Sequence, residues 1–263
     1  MKAQDIVDFI IQIAPHKAGV PNDSQSGWKF GDPQQEVTTV TVCWSPTLGI
    51  IEKSIKLGAN MIVAHEPLVF SFIDTPWYKN DLEEDKIVNR RRLQLLREHH
   101  MCVYGSHSNW DVKEGIGVVD SFAQVLGLDR EIGRGYLTRV YEVEPVSVED
   151  LAERVKECLK LKAVRVVADL NRKITKVGTA IGGLGQSFNL PEELHRLGAE
   201  VGIFGEMLDY TIRHAIELNL AVIEAGHLAT ENPGIRNLAK ALEDRFPDLR
   251  VVFLDTGIPW VYV

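Results

Sequence analysis

The chain has 263 residues, 45% of them hydrophobic and 25% charged, with a formal net charge of −8 and a pI near 5.5. That balance is ordinary for a globular enzyme and excludes a disordered chain, while the length suits one large domain or two modest ones. The acidic charge lacks the basic footprint of a duplex nucleic-acid binder, and no stretch approaches the roughly 18–20 uninterrupted apolar residues of a membrane span.

The opening MKAQDIVDFIIQIAP carries one lysine and an amphipathic pattern broken by two aspartates, a poor signal peptide. Ile6, Phe9, Ile10 and Ile13 recur at i, i+3, i+4 and i+7 and predict a first helix that Pro15 helps to stop. Residues 16–36 are rich in Gly, Pro, Asn, Asp, Ser and Gln and read as a long loop of the kind that often carries function. VTTVTVCW (37–44) is β-branched and strand-like. GIIEKSIKLGA (49–59) reads as a helix with Gly58 near its end. NMIVAHEPLVF (60–70) begins as a buried strand, DKIVNRRRLQLLREHH (85–100) is a helix and MCVYGSH (101–107) another strand. VVDSFAQVLG (118–127) is a helix with a stripe at Val118, Phe122 and Val125, closed by Gly127. A more β-like stretch at 129–146 marks a domain crossing.

The second half repeats the alternation. Ser147 and Asp150 form a capping signal before a helix at 148–161. Strands are expected at 164–170 and 174–183, a short helix opening with proline at 191–199, a strand at 200–206, a helix at 209–219 and a strand at 220–226. A last helix spans about 234–246, with a final strand at 250–255. Strands alternating with helices mean an α/β fold with partly parallel sheets. Cys43, Cys102 and Cys158 are far apart, with no CxxC pair; three buried thiols in a reducing, cytoplasmic compartment are expected.

Ligands of open α/β sheets bind beyond the carboxyl ends of strands, and three strands here end in residues suited to divalent metals. MIVA runs into His65-Glu66-Pro67; adjacent side chains at a strand end serve two neighbouring ions more easily than one. CVYG runs into a loop with His107 and Asp111 four apart. AVIEA runs into Gly226-His227, with Glu231 four residues on, one helical turn away. Asn232 as N-cap and Pro233 at the first helical position would start the regular helix there, leaving 227–231 as a turn in front of it. Each motif alone reads more readily as hydrogen-bonded structure than as a ligand set. Three together suit a pair of ions sharing a carboxylate.

Other features weigh less. IGGLGQS (181–187) lacks the Lys-Ser/Thr of a P-loop and reads as a tight turn. Glu206 ends a strand as a supporting carboxylate or a surface acid. Arg90, Arg91, Arg92 and Arg97 read as a solvated helix face, with a nucleotide-phosphate contact as the alternative, and His99 and His100 as residues easing that helix's C-terminal dipole.

The stretches GANMIVAHEPLVF (58–70), VYGSHSNWDVKEGIGVVDSFAQVLGL (103–128), IFGEM (203–207) and VIEAGHLATE (222–231) resemble the NGG-interacting-factor-three-like proteins, a family also known as GTP cyclohydrolase I type 2. The resemblance implies two interlocked α/β domains with mixed sheets, one formed by 1–128 with 226–263 and the other by 129–225. It implies a dinuclear centre at the strand ends in which His65 and Asp111 hold one divalent ion, Glu66 and His227 the other, and Glu231 bridges them. His107 would stand close by, as a water-mediated ligand or a proton-transfer residue. It also implies a ring-shaped homohexamer.

The chain departs from the family pattern in three places. Glu66 replaces the second histidine of the family's His-His-Pro, which as a harder, anionic ligand shifts preference towards Mn²⁺, Fe²⁺ or Mg²⁺ relative to Zn²⁺. The family's early Trp-Asp-Asn-x-Gly-Leu segment is matched poorly by NDSQSGWKFGD (22–32). Leu208-Asp209-Tyr210 replaces the histidine that often follows Gly-Glu-Met. The expected function is metal-dependent hydrolysis of a small substrate, a nucleotide among the candidates. A phosphoesterase or amidohydrolase and a non-catalytic metal-binding scaffold are the alternatives.

Overall fold

The computed structural model describes residues 1–69 and 87–263. Phe70 and the first two residues of the helix expected over 85–100 lie outside the described residues. The chain divides into two compact units: Met1–Trp110 with Ile235–Thr256, and Asp111–Gly234 with Gly257–Val263.

In chain order the first stretch holds α1 (Ala3–Ile13), β1 (Gly27–Phe30), β2 (Thr39–Cys43), α2 (Leu48–Lys56), β3 (Met61–Ala64), α3 (Ile87–Glu98), β4 (Cys102–Gly105) and the short α4 (Ser108–Asp111). The middle holds α5 (Val118–Val125), β5 (Glu131–Arg134), β6 (Thr138–Ser147), α6 (Val148–Cys158), β7 (Arg165–Val167), β8 (Lys173–Ala180), α7 (Asn189–Arg196), β9 (Val201–Phe204), α8 (Asp209–Glu217) and β10 (Ala221–Glu224). α9 (His227–Arg245) and β11 (Arg250–Leu254) follow.

The first unit is built on a five-stranded sheet in the order β1-β4-β3-β2-β11. β4, β3, β2 and β11 run parallel, and β1 pairs antiparallel on the edge. TVTVC, MIVA and CVYG are buried at every residue, as expected of parallel strands covered on both faces. Ile50 and Ile51 of α2 and Leu93 and Leu96 of α3 join Ile62 and Val103 in one core cluster. Thr47 caps α2 by accepting from the Ile50 amide, and Gly58 adopts a left-handed φ just past the helix end. In register, Cys43 pairs with Ala64 and Ala64 with Gly105. The next residues, His65 and Ser106, therefore leave the sheet side by side.

The second unit has a six-stranded mixed sheet in the order β5-β6-β8-β9-β10-β7. β8, β9 and β10 are parallel, aligning Ala180, Phe204 and Glu224 at one edge. β5, β6 and β7 pair antiparallel. Its core draws on Val140, Leu194, Phe204, Ala215 and Val222. The stretch at 129–146 is the β5–β6 hairpin. Ser147 caps α6 by accepting from the Asp150 amide.

Five expectations are corrected. The loop at 16–36 contains β1, whose Trp28 packs edge-on against Tyr104; the surrounding Gly, Asp and Ser hide so short an edge strand. Val125 is largely exposed, because α5 buries its face through Val118, Val119 and Phe122. Cys158 ends α6 on the exposed face, so only Cys43 and Cys102 are buried thiols. Arg92 is buried and donates to the Leu68 carbonyl, unlike its exposed neighbours Arg90 and Arg91. α9 begins at His227 rather than Pro233. A proline inside a helix costs about 3 kcal/mol in isolation. Burial of Ile235, Leu238 and Leu242 along the same helix offsets this.

Candidate metal centre

In the first unit, β3 delivers His65 to the sheet edge, where it is fully buried. Its Nδ1 lies 3.0 Å from the Ser106 carbonyl. A carbonyl only accepts, so Nδ1 carries the proton, and in the neutral ring Nε2 holds the lone pair that a cation needs. The Glu66 amide donates to the Trp44 carbonyl at 2.7 Å, fixing the exit from β3. His107 follows β4, and its ring centroid is 4.9 Å from that of His65. Its Nε2 is 3.8 Å from Glu66 Oε1. Asp111 closes α4, one turn beyond His107, and is buried.

Asp23, within the loop before β1, was not singled out by sequence reasoning. Its Oδ2 accepts from His107 Nδ1 at 3.0 Å, the Ser108 amide at 3.1 Å, Ser108 Oγ at 2.6 Å and Ser26 Oγ at 2.8 Å. Oδ1 accepts from the Gln25 amide in an Asx turn. Burial opposes charge on Asp23, yet the bonds from His107 and Ser108 and the neighbouring imidazole charge hold its carboxyl well below the usual range. Ionised, it keeps the proton on His107 Nδ1 and leaves Nε2 to face Glu66. Nothing local in the sequence pairs Asp23 with a histidine 84 residues later.

In the second unit, His227 and Glu231 share a face of the first turns of α9. His227 Nε2 lies 3.2 Å from Glu231 Oε2, and Nδ1 lies 3.6 Å from Glu206 Oε1. Glu206 thus stands beside the His227 ring. Its own carboxyl is held below the ordinary range, chiefly by the neighbouring His227 ring against the penalty of burial, with a hydrogen bond from Gln186. Two bonds of about 2.1 Å to one ion, at angles between a right angle and the tetrahedral value, separate their donor atoms by about 3.0–3.4 Å. The His227–Glu231 separation falls in that range. The 3.8 Å between His107 and Glu66 exceeds it.

IGGLGQS, expected to be a plain tight turn, does more. It forms a short 3₁₀ turn at Gly182–Gln186 after β8. Gly182 has φ +59°, and a Cβ built there would lie 2.0 Å from Glu231 Oε1 and 3.0 Å from His227 Nε2. Only a glycine lets the backbone approach this pair so closely. The Gly182 amide donates to Thr230 Oγ1, and that hydroxyl donates to the His227 carbonyl, tying the turn to α9. The donor set fits hard to borderline divalent cations: imidazole nitrogens and carboxylates, mostly buried, with second contacts orienting two of the rings. Among the described residues, side chains able to hold a metal ion are drawn from His65, Glu66, His107, Asp111 and Glu231. His16 places its Nε2 2.9 Å from the Tyr104 hydroxyl.

Residues 1–258 match the model of the family described as Duf34/NIF3 (NGG1p interacting factor 3). The chain belongs to this family. A relative from Clostridium acetobutylicum, named GTP cyclohydrolase 1 type 2 homolog, is 28% identical over 92% of this chain and 90% of its own. One of the same name from Lactococcus lactis is 31% identical over 92% of this chain and 91% of its own. The fold is shared with a solved Bacillus cereus protein related to NIF3, at a TM-score of 0.85 and 18% identity over 100% of this chain and 99% of that one. As in that family, the chain is α/β with two mixed sheets. No helix among the described residues is long and apolar enough to cross a membrane.

Proposed function

We propose that this protein is a divalent-metal-dependent hydrolase of a small molecule. Its two-ion centre is built from His65, Glu66, Asp111, His227 and Glu231. The observation that carries this reading is the His227–Glu231 pair, whose donor atoms stand 3.2 Å apart under a glycine that leaves them room. Family membership supports it, and the names of the curated relatives bring a guanine nucleotide forward as a candidate substrate. A ring-shaped homohexamer is part of the same proposal.

Divalent ions so held would supply Lewis acidity and make bound water more acidic. The chain's own groups do the rest. His65, with Nδ1–H committed to the Ser106 carbonyl, binds through Nε2. Glu66, in place of a histidine, adds negative charge and favours Mn²⁺, Fe²⁺ or Mg²⁺ relative to Zn²⁺. His107 takes and returns a proton at Nε2, and Asp23 holds its ring in the orientation and tautomer that this requires.

The test is metal content per subunit, by plasma mass spectrometry, on protein purified without chelator or affinity metal. About two divalent ions per chain are expected, and Glu231→Ala should lose both, since it would bridge them. The loaded protein is then assayed on GTP, phosphoesters and amides with Mn²⁺, Fe²⁺ and Zn²⁺. A metal content that stays near zero after incubation with all three ions overturns the reading. A loaded protein inert on the whole panel removes the hydrolase and leaves a metal-binding scaffold.

A further inference from the structure

The second unit contains a cavity of about 470 Å³ whose wall includes Arg165, Glu224, His227, Ile258, Trp260 and Tyr262. That volume lies in the range of small-molecule sites. The aromatic side comes from the segment Gly257–Val263, which follows β11 in extended, irregular form. Trp260 and Tyr262 are 54% and 56% exposed, and Ile258 and Val261 are exposed as well. So many apolar side chains together in seven residues are unusual on the surface of an acidic chain and mark a place where something apolar is bound.

The two charged groups of the wall are already engaged with one another. Arg165 and Glu224 pair across β7 and β10. Arg165 Nη2 donates to the Met207 carbonyl at 3.1 Å, and Glu224 Oε1 accepts from the Met207 amide at 3.2 Å. The charges cancel locally, and the remaining lining is mainly apolar. Such a wall selects by shape and by the π faces of its rings rather than by charge. A polyanion gains little from it, because Arg165 is neutralised by Glu224.

We propose that this cavity is a binding site for a neutral, planar aromatic molecule, held against Trp260 and Tyr262. Its occupant lies beside His227, at the start of α9. The proposal needs the cavity alone and stands independently of the metal reading.

The experiment is calorimetric titration of the full, chelator-treated chain with indole, and with GTP as a polyanionic competitor. Saturable one-to-one binding is expected, unaffected by GTP. Trp260→Ala removes a ring face and Ala163→Trp fills the cavity. Each should weaken indole binding by roughly tenfold or more. Because Trp260 is half exposed, its variant should melt with the wild type. Absence of saturable indole binding, wild-type affinity in both variants, or displacement of indole by GTP would each overturn the proposal.

Discussion

Replacing Gly182 by alanine adds one methyl group where the backbone meets the His227–Glu231 pair. The new Cβ would stand 2.0 Å from Glu231 Oε1, about 1 Å inside the 3.0 Å limit that real Cβ contacts respect. Glu231 is 4% exposed and anchored on α9, so its carboxylate has little room to retreat. The left-handed φ of +59° adds about 1–2 kcal/mol for any residue with a Cβ. With displacement of a buried carboxylate, the total is about 2–4 kcal/mol, or a fall in Tm of about 4–15 °C for a chain of this size. Gly183→Ala is the control: its Cβ would meet His227 Cε1 at 3.3 Å, and its φ is not left-handed. The control should lose about 1 kcal/mol or less. Thermal melts of both variants without metal read the steric effect. Metal content per subunit reads the ligand geometry, which should fall only in Gly182→Ala. A Gly182→Ala protein with wild-type Tm and full metal content would refute the reasoning, since the turn would then not be pressed against Glu231.

Asp23→Asn keeps the shape of the side chain but removes the charge that holds His107. It should cost about 1–3 kcal/mol in urea unfolding and shift the ring-nitrogen NMR signals of His107; an unmoved His107 spectrum would show that Asp23 does not set its tautomer. Glu66→His should raise Zn²⁺ affinity relative to Mn²⁺ in competition titrations, and identical preference in the two proteins would remove Glu66 from the ligand set. Glu200 accepts from the Thr175 and Lys176 amides. Burial raises its pKa, but these bonds outweigh that and hold it below the ordinary carboxylate value of 4.5. A depressed folded pKa contributes stability that is full above the unfolded value and lost as pH falls through the folded one. Glu200→Gln should therefore flatten the acid side of the stability curve below about pH 4.5; curves that stay parallel there would show that the carboxylate contributes nothing.

Much of the fold was legible in the chain because its signals are local. TVTVC, MIVA and CVYG are runs that only a doubly covered strand explains, and Ser147 with Asp150 announces α6 through a bond three residues long. His65, Glu66, His107, Asp111, His227 and Glu231 could be picked out as candidates because strand ends in α/β sheets are where ligands gather. What the sequence could not decide depends on residues distant along the chain. Asp23 reaches His107 across 84 positions, and Gly182 meets Glu231 across 49, so no window reveals either contact. The Asn232-Pro233 cap signal is sound locally, yet burial along α9 outweighs it and carries the helix back to His227. Sequence by itself determined most of the elements, through periodicity, and pointed to candidate ligands through side-chain chemistry. Tertiary structure alone decided which carboxylate orients which imidazole and where a glycine must stand, because those are matters of distance between parts of the chain that only folding brings together.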